Sequence, residues 1–263
     1  MEPGVEVSGG IMRQIVPLPA FKDNYIWLMH DGRNALVVDP GEAAPVMDFI
    51  AQHDLTLAAV LITHHHADHV GGLAALAPQC PVYGPAHEAI SGVTHAVQEP
   101  DEISIPELAL TLQVLDVPGH TRGHIAYYAP GVLFCGDTLF SAGCGRIFEG
   151  TPAQLFDSLN KLAALPDDTQ VFCTHEYTLA NLAFAQAAEP ENQARDQWLA
   201  ECADRRRSGK PTLPSSIARE KAINPFLRPL SESVQSSLAS RLDQPVDNAL
   251  NAFTALREWK NTF

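Results

Sequence analysis

The sequence predicts an α/β protein with an α-helical C-terminal part, and three observations carry that prediction. From Gln14 to about Cys173, short β-type runs alternate with helical ones. After His175 the strand signals give way to helix formers. A composition of 46% hydrophobic and 18% charged residues over 263 positions is globular and long enough to bury a sizeable core.

Taken in order, residues 1–11 carry no periodic pattern and are expected to be a disordered or non-native leader, with Met12 as the candidate start. Strands are expected at QIVPL, NYIWLMH and ALVVD, then a helix from Glu42 to His53, then a strand at AAVLI. Further strands are expected at CPVYG, ELALTLQVLDV, HIAYYA, VLFCGD and TQVFCTH. A helix opens at Thr151-Pro152, a good N-cap followed by a residue suited to the first helical position. Helices are then expected at TLANLAFAQAA, ENQARDQWLAECADRRRS and VDNALNAFTALREWKN, with the Pro-rich stretch GKPTLPSSIAREKAINPFLRPL as an irregular crossing. The domain division falls at 12–175 and 176–263.

A formal net charge of −14 repels phosphate backbones and anionic membrane surfaces, which argues against nucleic acid and membrane as partners. No signal-like segment or eighteen-residue apolar window is present, and the five cysteines are scattered without a C-x-x-C pair. A cytoplasmic, reduced monomer acting on a small molecule is the expectation.

Many of the strands end in a histidine or aspartate, placing those side chains along one rim of a sheet. The densest cluster is THHHADH at 63–69, directly after AAVLI, with donor residues His64, His66, Asp68 and His69 in a tight loop. His120 in VPGHTRGH, Asp137 in FCGDTLF and His175 in VFCTHEY follow, each at the end of an apolar strand. Singly, each reads as well as a helix cap or a hydrogen-bonded core histidine; together they specify a metal centre. Imidazole and carboxylate donors without thiolate suit zinc, with iron or manganese as alternatives. A bound metal lowers the pKa of water to about 7, so hydroxide is available at neutral pH. His124 reads as a structural neighbour of the site, and Cys144, among glycines, as a tight-turn residue rather than a nucleophile.

The spacing H-x-H-x-D-H followed by His120, Asp137 and His175 resembles the metallo-β-lactamase superfamily, over about residues 13–177. The resemblance implies an αββα sandwich in which His64, His66 and His120 hold one ion, Asp68, His69 and His175 hold the other, and Asp137 bridges them. Four further features, FSAGCGRIFEG after Asp137, HEYT at His175, PTLPSSI, and NPFLR ending at Arg228, are similar to the glyoxalase II family of hydroxyacylglutathione hydrolases. That resemblance implies hydrolysis of a glutathione thioester such as S-D-lactoylglutathione by a metal-bridged hydroxide, with Asp68 orienting the hydroxide and receiving its proton. It places glutathione against Arg146, Phe148, Tyr177 and Arg228. The chain departs from the pattern where some members have a lysine just after Arg228 and a tyrosine at Phe148. The Arg205-Arg206-Arg207 run reads as a solvated helix end. Rival readings are a mononuclear iron persulfide dioxygenase and a non-catalytic metal-binding module of the same fold; a β-lactamase conflicts with Asp137 and a nuclease with the charge.

Overall fold

The computed structural model describes residues 5–6 and 12–263. Apart from Val5–Glu6, the expected leader at 1–11 lies outside the described residues. The chain forms two compact units: residues up to Asp116 with Arg122–Gly136, and Val117–Thr121 with Asp137–Phe263.

The first unit contains a seven-stranded sheet of β1 (Val5–Glu6), β2 (Met12–Ala20), β3 (Asn24–His30), β4 (Asn34–Val38), β5 (Thr56–Leu61), β6 (Val82–Pro85) and β7 (His95–Val97), in that spatial order. Strands β1 to β4 pair antiparallel and β4 to β7 parallel. A parallel β4–β5 pair requires a crossover, which α1 (Ala44–His53) supplies, closed by Asp54 in the left-handed conformation. Every residue of β3 is buried, as a strand covered on both faces requires. Leu28, Val37, Val60 and Ile62 form one core with Val46 of α1 and with Leu73 and Leu76 of α3 (Leu73–Leu76), which follows the short α2 (Ala67–Val70).

Strands β8 (Glu102–Ile105), β9 (Leu110–Asp116), β10 (Ile125–Ala129) and β11 (Val132–Gly136) make an antiparallel meander in the same unit. In β9 the buried Leu110, Leu112 and Val114 alternate with exposed Thr111 and Gln113, the period of a half-solvated strand. Tyr127 of β10 donates from its hydroxyl to Ile62 O at 2.6 Å. Because β4 and β5 are parallel with Val38 opposite Leu61, the residues after them, Asp39 and Ile62-Thr63, leave the sheet side by side at its carboxyl edge.

The second unit begins with a hairpin of β12 (Leu139–Phe140) and β13 (Gly143–Cys144). Helix α4 (Pro152–Ala163) starts as the sequence indicates, with Thr151 and Gln154 closing a capping box. Strand β14 (Gln170–Cys173) follows, then α5 (Thr178–Ala188) and α6 (Gln193–Arg207). The Pro-rich crossing is more regular than expected. It contains β15 (Ser215–Ser216), paired with β14, and α7 (Ile217–Ile223), whose N-cap Ser216 accepts from Arg219 N. Helix α8 (Glu232–Leu242) carries no strong sequence signal because only Val234 and Leu238 are buried, too sparse a stripe to show periodicity. Helix α9 (Ala249–Asn261) closes the chain, capped by Asn248. Among the described residues no helix is long and apolar enough to cross a membrane.

These helices hold the β12–β13 hairpin by its backbone. Asn224 Nδ2 donates to Phe140 O at 3.2 Å and Gly143 O at 2.9 Å, and Asn181 Nδ2 donates to Ser141 O at 3.2 Å. Ala142, with φ of 55°, donates its amide to Glu220 Oε2 at 2.7 Å. A hairpin tip buried from water needs such partners for its peptide groups, and α5 and the α7 region supply them as side chains.

Candidate metal centre

In the first unit, the loop after β5 brings His64, His66, Asp68 and His69 together. His64 Nε2 lies 3.0 Å from His66 Nδ1, and the His64 and His69 rings are 4.0 Å apart. Asp68 Oδ2 lies 3.5 Å from His69 Nε2 and accepts from Asn24 Nδ2 at 3.0 Å. Buried Asp39 organises the group from behind. Its Oδ1 accepts from Thr63 N at 2.8 Å, and its Oδ2 accepts from Thr63 Oγ1 at 2.7 Å and from His69 Nδ1 at 3.0 Å.

This network fixes proton positions by elimination. Thr63 spends its hydroxyl proton on Asp39, so at 3.1 Å it can only accept from His64 Nδ1. His69 Nδ1 faces a carboxylate oxygen and donates likewise. Both rings thus use Nδ1 as donor and turn Nε2 toward the donor cluster, the nitrogen with which such a ring binds a cation. His124 stacks on His64 with ring centroids 4.6 Å apart, the structural role read from the sequence. Space behind these rings is minimal: a Cβ on Gly136, whose φ is +48°, would lie 2.3 Å from Thr63 Oγ1 and 2.9 Å from His124 Cε1.

In the second unit, His120, Asp137 and His175 converge. Asp137 Oδ2 lies 3.4 Å from His120 Nε2 and 3.3 Å from His175 Nε2. His120 Nδ1 sits 2.7 Å from Arg146 O, and a carbonyl can only accept, so this ring too carries its proton on Nδ1 and offers Nε2. Gly145 lets this segment lie directly against the Asp137 backbone: a Cβ there would lie 1.9 Å from Asp137 O.

The donor set fits divalent ions. Two ligands on a tetrahedral ion with bonds of about 2.0–2.1 Å are separated by roughly 3.3–3.4 Å, and the spacings within each unit run from 3.0 to 3.5 Å. A carboxylate oxygen flanked by two imidazole nitrogens, as at Asp137, is what a bridging ligand needs.

Of the residues expected at the substrate, Arg146, Phe148 and Tyr177 gather around the second-unit donors. The Phe148 ring, 60% exposed, meets His120 edge-on at 5.3 Å, and the Arg146 guanidinium lies 5.5 Å from its centroid. Tyr177, 38% exposed, stacks on His175 at 4.6 Å with planes 1° apart. Arg228 makes none of these contacts. Its Nη1 donates to Ala222 O at 2.8 Å, and its Nε lies 3.0 Å from Glu189 Oε1, in ion-pair range but off the hydrogen-bond direction. Burial pushes the Cys144 thiol up, with Arg257 pulling the other way, which agrees with the turn reading over the nucleophile reading. Asp39 and Asn24 were not singled out from the sequence, although Asp39 ends the apolar run ALVVD, the same signal that marks Asp137.

Comparison with known proteins gives two family matches. Residues 21–175 match the model described as metallo-beta-lactamase superfamily, and residues 176–263 match the model described as hydroxyacylglutathione hydrolase C-terminus. Proteins named hydroxyacylglutathione hydrolase from Cupriavidus taiwanensis and Vibrio cholerae serotype O1 are 53% and 54% identical to this chain, covering 96% of it and 100% of each relative. Among solved structures, that of ETHE1 from Myxococcus xanthus aligns with a TM-score of 0.62 at 29% identity, over 94% of this chain and 99% of that one. The α/β class with a helical C-terminal region agrees with these matches.

Proposed function

The chain belongs to the hydroxyacylglutathione hydrolases of the metallo-β-lactamase superfamily, and from that premise we propose how its own residues hydrolyse an S-(2-hydroxyacyl)glutathione to a 2-hydroxy acid and glutathione. The hydrolase activity is preferred over persulfide oxidation because the C-terminal family match spans 176–263, the segment assigned here to substrate binding.

The centre binds divalent metal. The proposed arrangement has His64, His66 and His120 on one ion, Asp68, His69 and His175 on the other, and Asp137 between. The observation that carries it is the position of Asp137 Oδ2, 3.4 Å from His120 Nε2 and 3.3 Å from His175 Nε2. Zinc is the proposed metal, as imidazole and carboxylate donors suit it, and iron and manganese accept the same set. When bound, the two ions supply hydroxide at neutral pH and positive charge for the developing oxyanion.

In this reading Asp68 orients the attacking oxygen and takes up its proton; its side chain, 40% exposed with one oxygen held by Asn24, supports that role. As the C–S bond breaks, the glutathione sulfur leaves as thiolate and needs no prior proton. Arg146 offers a guanidinium for bidentate binding of a glutathione carboxylate, and Phe148 and Tyr177 present exposed ring surface beside His120 and His175. Arg228 serves the same ligand if glutathione competes with Glu189 for its guanidinium. A monomer in a reducing, cytoplasmic compartment suits the five free thiols.

The test is hydrolysis of S-D-lactoylglutathione by metal-loaded protein, followed by thioester absorbance and thiol release, with a simple acyl thioester, a β-lactam and a persulfide with oxygen uptake as controls. Turnover selective for the glutathione thioester is expected. Oxygen uptake without thioester hydrolysis would overturn the reading.

A further inference from the structure

Phe21 stands in the short turn between β2 and β3, where Ala20 pairs with Asn24. Its φ of +49° lies in the left-handed region, which a bulky side chain makes costly and which turns normally give to glycine or asparagine. The residue is also 57% exposed, so burial does little to offset that strain. Neither turn geometry nor the core accounts for a phenylalanine at this place. The turn is tied down at both ends: Phe21 N donates to Glu42 Oε2 at 2.9 Å, and Asn24 Nδ2 donates to Asp68 Oδ2 at 3.0 Å. The ring lies against Gly41, on which a Cβ would fall 2.6 Å from Phe21 Cε2 and 1.9 Å from Asp68 O. Any side chain at residue 41 would wedge the ring away from the Asp68 peptide, and glycine lets the two meet. An exposed apolar ring is thus held beside the residue proposed to orient the attacking oxygen, and all of these groups belong to the first unit.

Attack takes place at the thioester carbonyl carbon. The atoms next to that carbon, on the side away from sulfur, are C2 of the acyl group with its hydroxyl and its substituent. The residues proposed for glutathione, Arg146, Phe148 and Tyr177, lie in the second unit, and none of them is assigned to this acyl half. We infer that Phe21 is a specificity-determining residue: its ring is the apolar wall for the C2 substituent, favouring methyl over hydrogen and phenyl over methyl. This rests on the hydrolase reading above. Contacts of this size with an apolar surface discriminate by about tenfold or more.

The test uses the metal-loaded, full-length protein and three thioesters that differ only in that substituent: S-glycoloylglutathione, S-D-lactoylglutathione and S-D-mandeloylglutathione. In the wild type, kcat/KM divided by each thioester's rate of alkaline hydrolysis should rise from hydrogen to methyl to phenyl. Phe21→Asn removes the ring and suits the left-handed backbone, so the turn is kept; the phenyl-to-hydrogen ratio should fall about tenfold. Phe21→Tyr keeps the ring and should keep the ratio within about twofold. A second readout needs no turnover: by calorimetry, Phe21→Asn should weaken S-benzylglutathione about tenfold more than S-methylglutathione. An unchanged ratio in Phe21→Asn, whether or not overall activity falls, overturns the inference, because a turn that is merely structural would affect all three thioesters alike. Loss of the ratio in Phe21→Tyr overturns it as well. Failure of the hydrolase reading is read separately and first, as a wild type that hydrolyses none of the three, and it overturns the inference together with its premise.

Discussion

Asp39 Oδ2 accepts two hydrogen bonds in the site, and each sets a proton that the donor cluster depends on: one directly at His69, the other through Thr63 at His64. Asp39→Ala is expected to weaken metal binding by about 10- to 100-fold, read by competition with a chromophoric chelator. Wild-type affinity in the variant would remove that role. The proposed bridging place of Asp137 predicts that Asp137→Ala loses hydrolysis by at least about a thousandfold, with metal content falling from two ions toward one. Arg146 acts on the substrate instead. Arg146→Ala should raise KM by about tenfold and leave kcat within about twofold, the signature of lost uniform binding.

At the scale of elements, the β12–β13 hairpin depends on α7 for the satisfaction of its backbone, and Glu220 is the centre of that dependence. It accepts from Ala142 N at 2.7 Å, Asn224 Nδ2 at 3.0 Å and the Ser215 hydroxyl. Glu220→Ala takes the acceptor from Ala142 N and the Ser215 hydroxyl, while Asn224 Nδ2 keeps Phe140 O and Gly143 O, and should cost about 3 kcal/mol in denaturant unfolding. Burial raises the Glu220 pKa above its ordinary 4.5, with the hydrogen bonds opposing the shift. The sign follows from linkage: with the folded value raised, the stability Glu220 lends is fully present below about pH 4.5 and declines as pH rises through the raised value. Glu220→Gln preserves the shape without the titration. The unfolding free energy of wild type minus that of this variant should therefore be greatest at low pH and shrink as pH rises, whereas a flat difference would show that Glu220 titrates normally. Much of this element scale was legible in advance. NYIWLMH, the Thr151-Pro152 helix start and the C-terminal helices follow from local pattern. Helix α8 and the regular parts of the Pro-rich crossing were not, because α8 buries two apolar side chains and α7 is seven residues long.

For the whole molecule, the proposed centre links ion binding to folding. An ion present at about 100 times its Kd stabilises the native state by about 2.7 kcal/mol. For a chain of this size, chelation should then lower Tm by roughly 5–10 °C, read by scanning calorimetry with and without chelator. No change in Tm on verified metal removal would show that the ions contribute nothing to folding. The net charge of −14 surrounds this centre with a repulsive field for anions, so binding of an anionic thioester should weaken less with added salt than it would on a basic surface.

The sequence by itself marked the candidate donors and their order, since the chemistry of a metal centre demands imidazole and carboxylate and those residues stand out at the ends of apolar runs. It determined the α/β to all-α transition for the same reason, because periodicity is local. Only the tertiary structure decided which distant side chains hold those donors and the backbone beside them. Asp39 reaches His69 across 30 positions, and Arg257 reaches Cys144 across 113. It also gave Arg228 a second claim on its charge, the ion pair with Glu189. Hydrogen bonds between residues so far apart leave no periodic trace in the chain; they exist only where folding has removed water and each buried donor must find an acceptor.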